Sequence, residues 1–397
     1  MGAVTAIGGS LPDFWESLLE GVCGIRPFSL FDAAAYRTQT AGAVTDIPDS
    51  FLTPADRRRM SRADRMGVAA AREALAASGL DLRRENPARV GVILGGGTSG
   101  LIDSEAFFEL YLRGRKARPS KVLNHLPDSI TDRVAQRFGL EGIKSTITTA
   151  CSSSANAMGY AFDAIRAGLA DVVVTGGSDV LARLTYGGFN SLRSVDPQPC
   201  RPFDRERRGL SIGEAAGILV FEEAGHARRR GAPVVAEFRG YGVTSDAYHM
   251  TAPDPSGAAG GRTIRAALEN AGVNAADVDY VNAHGTATPQ NDSAETAALK
   301  AGLGERAREI PISSIKSMIG HCLCASGAIE AVATALTVLH GKVPPTIHYE
   351  NPDPACDLDY VPNVARDLPV DVALSNSFAF GGNSSVVVLA RYDGSAP

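Results

Sequence analysis

The sequence predicts an α/β protein whose parallel or mixed sheets are covered by helices, and two observations support this fold class. Short apolar runs rich in β-branched residues alternate with alanine-rich stretches of helical character along the 397 residues. Glycine is abundant, with 42 residues, and aromatic residues make up only 6% of the chain, which favours helices packed closely against sheets. Alternation of this kind is typical of layered α/β folds.

Nine segments carry this alternation, and one polar segment divides them. We expect buried strands at Arg89–Leu94, Asp171–Thr175, Ala216–Phe221, Tyr280–Asn282 and Ser385–Leu389. We expect helices at Arg65–Ala77, Ser154–Ala167, Thr263–Ala271 and Ala325–Leu339. The basic segment Glu223–Pro233 ends in a Gly and Pro signal and predicts a boundary between an N-terminal half, 1–232, and a C-terminal half, 233–397. Each half contains strands, helices and a Gly-rich turn, which favours a duplicated unit, although sequence identity between the halves is faint.

Composition narrows the class of function. The net charge of −5 gives the protein no general attraction to nucleic acid or to anionic membranes. The six cysteines are scattered, and the one close pair, Cys322 and Cys324, lacks the second pair that zinc-like spacing needs. We therefore expect reduced thiols in a cytoplasmic protein. Residues Met1–Ser10 lack the features of a signal peptide, and no apolar run approaches the ~20 residues that cross a bilayer.

Cys151 is the first candidate for chemistry. Its segment, residues 145–158, passes from a β-branched strand through small residues into a helix. A thiol at this junction is expected at a helix N-terminus, where unpaired N–H groups favour the thiolate and lower its pKa. Small neighbours at Ala150, Ser152 and Ser153 leave room for a substrate carbonyl. The alternative from this segment alone is a buried structural cysteine, the commoner fate of a lone cysteine.

Three further loops at predicted strand exits carry polar or aromatic candidates. His284 follows a strand and precedes a Gly and Pro turn, and Lys316 and His321 share a second loop. Phe380 is followed by two glycines, in a turn whose backbone amides are able to face a reacting carbonyl. Each loop alone is weak evidence, because a histidine on a loop is more often a surface or hydrogen-bonded residue. Together with Cys151 they predict one shared site.

These segments resemble a known family. Thr-Ala-Cys-Ser-Ser, Asn-Ala-His-Gly-Thr-Ala-Thr-Pro, Ser-Ile-Lys-Ser-Met-Ile-Gly-His and Asn-Ser-Phe-Ala-Phe-Gly-Gly look like the motifs of elongating β-ketoacyl-(acyl carrier protein) synthases. Arg201–Asp204 and Ser245–Met250 extend the match, which covers nearly the whole chain. The resemblance implies the thiolase fold, a five-layered αβαβα arrangement of two pseudo-repeated halves. It also implies an acyltransferase that performs a decarboxylative Claisen condensation of an acyl group on Cys151 with malonyl-acyl carrier protein, in fatty-acid or polyketide chain elongation.

The resemblance also assigns roles to the catalytic candidates. Backbone N–H groups of Cys151 and Phe380 form an oxyanion hole, and Phe380 gates the two half-reactions; the alternative for Phe380 is a core aromatic. Neutral His284 and His321 donate from Nε2 to the malonyl carbonyl. Lys316 orients and tunes the site. Neither a metal nor another cofactor is expected, because the substrates arrive on the phosphopantetheine of an acyl carrier protein.

Further residues receive supporting roles from the same resemblance. Glu330 supports Lys316 and a water network, and Asp246 is a second member of that acidic network. Thr286 and Thr288 hydrogen-bond the phosphopantetheine arm. Thr98, after a glycine run, lines the end of the acyl pocket, where its hydroxyl favours a polar or unsaturated chain.

The expected partners are an acyl carrier protein and a second subunit. Arg58, Arg59, Arg201 and Lys121 resemble the basic surface on which the acidic carrier docks, although a charge run is more often a solvated helix face. Relatives dimerise through a strand in each N-terminal half. Two forms stay open: a homodimer, or a heterodimer with a chain-length-factor-like subunit that lacks the cysteine.

Three other interpretations of the function fit the sequence less well. A non-catalytic partner subunit lacks the nucleophile, whereas this chain has Cys151 and both histidines. A degradative thiolase has a second cysteine in a Cys-x-Gly turn near the C-terminus, and no such turn occurs here. Initiating and chalcone-type synthases use Cys-His-Asn, which His321 in its Gly-His context argues against.

Relatives also begin with a strand before the segment Gly2–Gly8, so we expect a strand to precede Met1 or to be missing.

Overall fold

A computed structural model gives the structure of residues 1–394, which contain fourteen strands and twelve α-helices. The strands are β1 Gly2–Val4, β2 Arg26–Pro27, β3 Thr40–Ala41, β4 Val90–Gly95, β5 Lys144–Ile147, β6 Val172–Asp179, β7 Ala215–Glu222, β8 Glu237–Ser245, β9 Tyr280–Asn282, β10 Ile312–Ser313, β11 Lys342–Val343, β12 Arg366–Asp367, β13 Val372–Phe378 and β14 Asn383–Ala390. The helices are α1 Leu11–Leu19, α2 Pro54–Arg59, α3 Arg62–Ser78, α4 Leu101–Leu112, α5 Ser129–Phe138, α6 Ser153–Arg166, α7 Arg183–Ser191, α8 Ala224–Arg230, α9 Ala258–Ala271, α10 Pro289–Leu303, α11 Lys316–Ile319 and α12 Ser326–His340.

Two five-stranded mixed sheets repeat the same pattern of strand pairing. The first sheet has the order β5-β4-β6-β7-β1 and the second the order β10-β9-β13-β14-β8. In each sheet the first two pairings are parallel and the last two are antiparallel. The equivalent helices occur at the same places in the chain order, with α6 after β5 and α12 after β10. The duplication that the sequence shows only faintly is therefore visible in the topology.

The helices form three layers around the two sheets. Helices α6 and α12 contact each other and lie between the sheets, whereas α3 and α5 cover the outer face of the first sheet and α9 and α10 cover that of the second. This is the five-layered thiolase arrangement that the resemblance implies. The central helix α12 is buried at every position except its last two. Its small residues, such as Gly327, whose Cβ would meet Ala155 at about 3 Å, allow α6 and α12 to approach closely.

All nine predicted segments form the expected elements, with small shifts at their ends. The largest shift is in α9, which begins at Ala258 rather than Thr263. Its start has no side-chain cap, and Gly257 has a positive φ of 67°. Gly261 lies in the first turn because a side chain there would meet Ala301 of α10 at 2.8 Å. These glycines allow close packing but lower the helix propensity of the segment, so the sequence pattern does not show where the helix begins.

Three expectations about organisation have these outcomes. The segment Gly2–Val4 itself forms the edge strand β1, antiparallel to β7, so the first sheet has its edge strand within this segment. The boundary predicted at residues 232 and 233 lies between α8 and β8. Among residues 1–394, one stretch, Leu323–His340, is long and apolar enough to cross a membrane, but 89% of it is buried inside the protein as a core helix.

Candidate functional site

The four predicted loops converge because their strands end at the same side of the two sheets. Cys151 follows β5, and Lys316 and His321 follow its equivalent in the second sheet, β10. His284 follows β9, which is parallel to β10, and Phe380 follows β13. The carboxyl ends of parallel strands meet at one edge, where loops build ligand sites. Sulfur Sγ of Cys151 and one nitrogen each of His284 and His321 lie within 4.8 Å of one another.

Cys151 occupies a strained bend just before α6. Ala150 has a φ of 51°, in the left-handed region that costs free energy for a residue with a Cβ. The hydroxyl of Ser153 holds the bend, since it accepts from the N–H of Thr149 and donates to the C=O of Ala150. The bend directs the thiol into the space between the two halves of the protein, where Cys151 is only 7% exposed.

The pKa of Cys151 is raised, contrary to the expectation from the helix N-terminus. Burial raises it to about 11, and the positive charge of Lys316 and hydrogen bonds from the backbone N–H groups of Phe380 and Cys151 only partly oppose this effect. The helix begins at Ser153, two residues beyond the sulfur. Desolvation of a thiolate therefore outweighs the favourable dipoles. The resting group is a thiol at neutral pH.

His284 and His321 are neutral donors whose rings are held by different partners. Burial and the nearby positive charge of Lys316 lower the pKa of both imidazoles well below the usual value. Nδ1 of His321 accepts from the N–H of Leu323 at 3.0 Å, which assigns the remaining proton to Nε2. Nδ1 of His284 lies 3.3 Å from Nζ of Lys316. The two rings are perpendicular, with centroids 5.4 Å apart, and because both Nδ1 atoms have partners, Nε2 is the nitrogen that each ring has left to donate.

The cysteine and the two histidines have the composition of a metal site, but their hydrogen bonds favour a different use. An imidazole that binds a metal through Nε2 normally donates its other N–H to an acceptor. His321 has the reverse arrangement, because the N–H of Leu323 points at its Nδ1. His284 likewise faces the ammonium of Lys316. The geometry therefore fits stabilisation of an oxyanion by two N–H donors better than metal binding.

Lys316 and Glu330 form a fully buried ion pair next to His284. Each side chain is 1% exposed, and the ammonium of Lys316 donates to Oε1 of Glu330. Burial raises the pKa of Glu330 to about 7, although the positive charge of Lys316 opposes the shift. Oε2 of Glu330 is buried and has no hydrogen-bond partner among residues 1–394. That orphaned oxygen fits the water network that the resemblance assigns to this carboxylate.

Glu295 is a supporting carboxylate that the sequence analysis missed. It is buried on α10 and accepts from the backbone N–H groups of His284 and Gly285 at 2.8 and 2.7 Å. It also accepts from the side chain of Asn376 on β13. Glu295 thus fixes the loop that carries His284. The sequence offered one signal, an acidic residue on the helix that begins after Thr288. Such a residue usually lies at the surface.

The loop of Phe380 forms a turn built on two left-handed glycines. Gly381 and Gly382 have φ angles of 77° and 75°. The ring of Phe380 stacks on Phe189 at 5.8 Å between centroids. A Cβ at Gly382 would meet Oδ1 of Asp246 at 2.0 Å, and the N–H of Asp246 donates to the C=O of Gly382. Asp246 therefore supports the Phe380 loop, and its expected place in the acidic network around Lys316 stays a prediction.

One cavity of about 320 Å³ connects these residues with the surface. Cys151, His284 and His321 lie at its buried end, and Thr286 and Thr288 line its wall with their hydroxyl oxygens 3.0 Å apart. The sequence analysis missed several other lining residues, which include Phe189, Arg193, Arg208 and His249. Phe189 lies on α7, Arg193 and Arg208 lie in loops outside the family motifs, and His249 lies within Ser245–Met250, where no role was assigned to it.

Thr98 does not line this cavity, and its hydroxyl has hydrogen-bond partners within the protein. The hydroxyl shares its one proton between Asp179 and the C=O of Val180, and the N–H of Thr98 donates to Asp179 as well. Asp179 is buried and also accepts from the N–H of Cys324. The hydroxyl therefore stabilises the loop behind Cys151. Its expected position at the end of the acyl pocket stays a prediction.

The predicted docking residues differ in their surroundings. Arg58 and Arg59 are exposed at the end of α2. Lys121 forms an ion pair with Asp103 at 3.0 Å, and Arg201 is half-buried, with an Nε that lacks a partner among residues 1–394. None of these four lines the cavity that holds Cys151. Arg58 and Arg59 remain the best placed to contact a partner.

Family models match most of the chain. Residues 1–227 match the model described as beta-ketoacyl synthase, N-terminal domain, and residues 235–350 match beta-ketoacyl synthase, C-terminal domain. The chain is 40% identical to the 3-oxoacyl-(acyl-carrier-protein) synthase 2 of Staphylococcus aureus (strain COL), over 99% of this chain and 97% of the relative. It is 43% identical to the tetracenomycin polyketide synthase ketoacyl synthase alpha subunit of Streptomyces glaucescens, over 98% and 96%.

Solved structures agree with these relatives. The chain superposes on the ishigamide ketosynthase/chain length factor with a TM-score of 0.93 and 34% identity, over 98% of this chain and 97% of that one. It superposes on a type II polyketide ketosynthase in complex with its acyl-carrier protein with a TM-score of 0.91 and 32% identity, over 99% and 98%.

Proposed function

The chain belongs to the β-ketoacyl synthase family, and we propose that it condenses an acyl group on Cys151 with malonyl-acyl carrier protein. The product is a β-ketoacyl-acyl carrier protein two carbons longer. The observation that carries the proposal is the cluster of Cys151 with two neutral histidines, whose atoms lie within 4.8 Å. A nucleophile and two oxyanion donors in one buried cavity are what a decarboxylative condensation needs.

In the first half-reaction the acyl group moves from the phosphopantetheine thiol to Cys151. The bond from the acyl carbon to the sulfur of Cys151 forms, the bond to the phosphopantetheine sulfur breaks, and the proton of the Cys151 thiol ends on the departing thiol. Negative charge develops on the thioester oxygen in between. Backbone N–H groups of Cys151 and Phe380 lie beside the sulfur and are suited to stabilise that charge.

In the second half-reaction malonyl-acyl carrier protein loses carbon dioxide and its enolate attacks the acyl group. The carbon–carbon bond forms, the bond to the Cys151 sulfur breaks, and the thiolate takes up one proton. Nε2–H donors of His284 and His321 are placed to stabilise the enolate oxygen, because the Nδ1 atoms already have partners. Neutral imidazoles perform this role without a change of charge.

Lys316, Glu330 and the Phe380 loop support these steps. The Lys316–Glu330 pair sets the electrostatic field at His284. Phe380 separates the acyl site from the entrance, and its two glycines give the turn the freedom to move between the half-reactions. Thr286 and Thr288 hydrogen-bond the phosphopantetheine arm. No metal or redox cofactor takes part in these bond changes.

The partners are an acyl carrier protein and a second synthase-like subunit, in a cytoplasmic complex. The strand β5 lies at an open edge of the first sheet, which suits pairing with the same strand of another subunit. Exposed apolar residues of α4, such as Tyr111 and Leu112, which are 64% and 81% exposed, suit coverage by a partner. A homodimer of the synthase 2 type and a heterodimer with a chain-length-factor-like subunit both use this edge.

Reconstitution tests the proposal. Purified protein is offered acyl and malonyl carrier proteins, alone and with a synthase-like subunit from the same gene neighbourhood, and the carrier-bound products are weighed by mass spectrometry. A gain of the mass of a ketide unit supports condensation. Activity of the protein alone supports the homodimer, and activity only with the second subunit supports the heterodimer. Absence of the condensed product in both mixtures contradicts the proposal.

A further inference from the structure

Two arginines that no motif marks lie at the open end of the cavity. Arg193 and Arg208 both line the cavity that holds Cys151, and both side chains are exposed. No carboxylate of residues 1–394 lies within ion-pair distance of either guanidinium, whereas most other arginines of the chain are paired. Two unpaired cations beside a substrate channel favour an anionic ligand.

The backbone holds Arg208 between the loop of Arg193 and the loop of the two threonines. The N–H of Gly209 donates to the C=O of Ala287 at 3.1 Å, and the N–H of Leu210 donates to the C=O of Ser194 at 2.8 Å. Gly209 has a φ of 150°, and a Cβ there would meet the C=O oxygen of Ser194 at 2.5 Å. Only glycine fits this close approach, so the position of Arg208 is built into the fold.

The lining of the cavity changes in order from its buried end to its mouth. Cys151 and Thr286 are buried, Thr288 is half-buried, and Arg193 and Arg208 are exposed. A phosphopantetheine thioester has the same order, with the reacting carbonyl at one end, amides along the arm and a phosphate at the other end. Three acidic residues also line the cavity, and each accepts from backbone N–H groups: Asp246 and Asp254 within their own loops, and the buried Glu295 from His284 and Gly285.

We propose that Arg208, with Arg193, binds the phosphate of the carrier-linked phosphopantetheine arm at the mouth of the cavity. The inference rests on the proposed function, since it names the part of that substrate which the two guanidiniums recognise. A planar guanidinium fits a phosphate with two parallel N–H donors, and both guanidiniums attract the negative charge of the carrier-linked phosphodiester. With this site the enzyme selects its substrate by the phosphate as well as by the thioester.

Paired small-molecule thioesters test this assignment. Acylation of Cys151 is measured by mass spectrometry at low ionic strength with hexanoyl-phosphopantetheine and with hexanoyl-pantetheine, which lacks the phosphate. The expected preference for the phosphorylated substrate is about tenfold or more. Arg208→Ala should remove most of this preference, and Arg208→Lys should restore part of it. Arg205→Ala is the matched control, because Arg205 is exposed, lies three residues away and does not line the cavity.

A carrier protein and coenzyme A both carry such a phosphate. Two further measurements, with hexanoyl-acyl carrier protein and with hexanoyl-coenzyme A, distinguish these sources. The proposal predicts that Arg208→Ala slows acylation by the carrier-bound substrate. An unchanged phosphate preference in Arg208→Ala, an equal effect of Arg205→Ala, or a loss confined to coenzyme A would overturn it. Failure of the proposed function gives a different result, because then no thioester, phosphorylated or not, acylates Cys151 in any variant.

Discussion

Nζ of Lys316 lies 3.3 Å from Nδ1 of His284, and the same ammonium forms a buried ion pair with Glu330. His321 instead receives the N–H of Leu323 on its Nδ1. The two imidazoles are thus oriented differently, His284 by a charged side chain and His321 by the backbone N–H of Leu323 together with the hydroxyl of Ser326, which lies 3.0 Å from its Nδ1. A single substitution of Lys316 removes the partner of His284, whereas the N–H of Leu323 remains whatever side chain is replaced, which makes Lys316 the sharper test of how the histidines are positioned.

We predict that Lys316→Met lowers malonyl decarboxylation about 10- to 100-fold, the range seen when a partner that orients a catalytic imidazole is lost. The acylation of Cys151 should fall much less, because its oxyanion donors are backbone N–H groups. The measurement compares carbon dioxide release with acyl-enzyme formation. Lys300→Met is the control, because Lys300 pairs with Asp357 and does not line the cavity. Equal loss of both half-reactions would contradict the orienting role.

We predict that alkylation of Cys151 by iodoacetamide accelerates about tenfold per pH unit from pH 7 to about pH 10. Burial raises the pKa of this thiol to about 11, so the reactive thiolate is the minor form below that pH and its fraction rises as pH rises. The rate is followed by mass spectrometry, and Cys151→Ser shows which modification belongs to this residue. A rate that is already constant between pH 7 and pH 8 would mean that the thiolate is the stable form.

We predict that Gly382→Ala impairs transfer of acyl groups to Cys151 while the protein remains folded. The new Cβ would meet Oδ1 of Asp246 at 2.0 Å, and φ at this position is 75°, so the Phe380 turn has to shift. Gly188→Ala is the matched control, since a Cβ there meets nothing within 4 Å. Acylation rates and thermal unfolding of both variants give the comparison. Unchanged acylation in Gly382→Ala would remove the Phe380 turn from the mechanism.

We predict that reversal of Arg58 and Arg59 to Glu weakens turnover with carrier-bound substrates and leaves alkylation of Cys151 nearly unchanged. Both residues are exposed and outside the cavity, so their effect is expected through docking of an acidic carrier. Reversal of Arg83 and Arg84, which are 89% and 86% exposed, controls for net charge. The effect should diminish at high salt, because exposed charges are screened. An equal fall in alkylation and turnover would exclude docking as the cause.

The strands and helices were predictable because their patterns are local. β-Branched apolar runs such as those in β4, β6 and β14 mark buried strands directly, and the motifs around Cys151 and His284 stand at strand ends in the sequence as they do in the structure. The convergence of these loops was predictable for the same reason, since parallel strands end at a common edge.

What the sequence did not predict depends on burial and on distant contacts. The pKa of Cys151 was expected to fall, because the helix start is visible in the sequence whereas desolvation is not. Glu295 was missed because an acidic residue on a helix usually faces solvent, and only the fold buries it under His284. The contact of Asp246 with the Phe380 loop was not predicted, because Gly382 reaches Asp246 only through a turn of the folded chain. The position of Arg208 depends on backbone hydrogen bonds from Gly209 and Leu210 to two separate loops, which no local pattern shows.

The most direct test of the central claim is the Cys151→Ala variant supplied with acyl and malonyl carrier proteins. The expected result is complete loss of the condensed β-ketoacyl product, because no acyl-enzyme forms. Decarboxylation of malonyl-acyl carrier protein should continue, because His284 and His321 do not depend on the thiol for their orientation. If Cys151→Ala still yields the condensed product, Cys151 is not the residue that carries the acyl group and the mechanism is wrong.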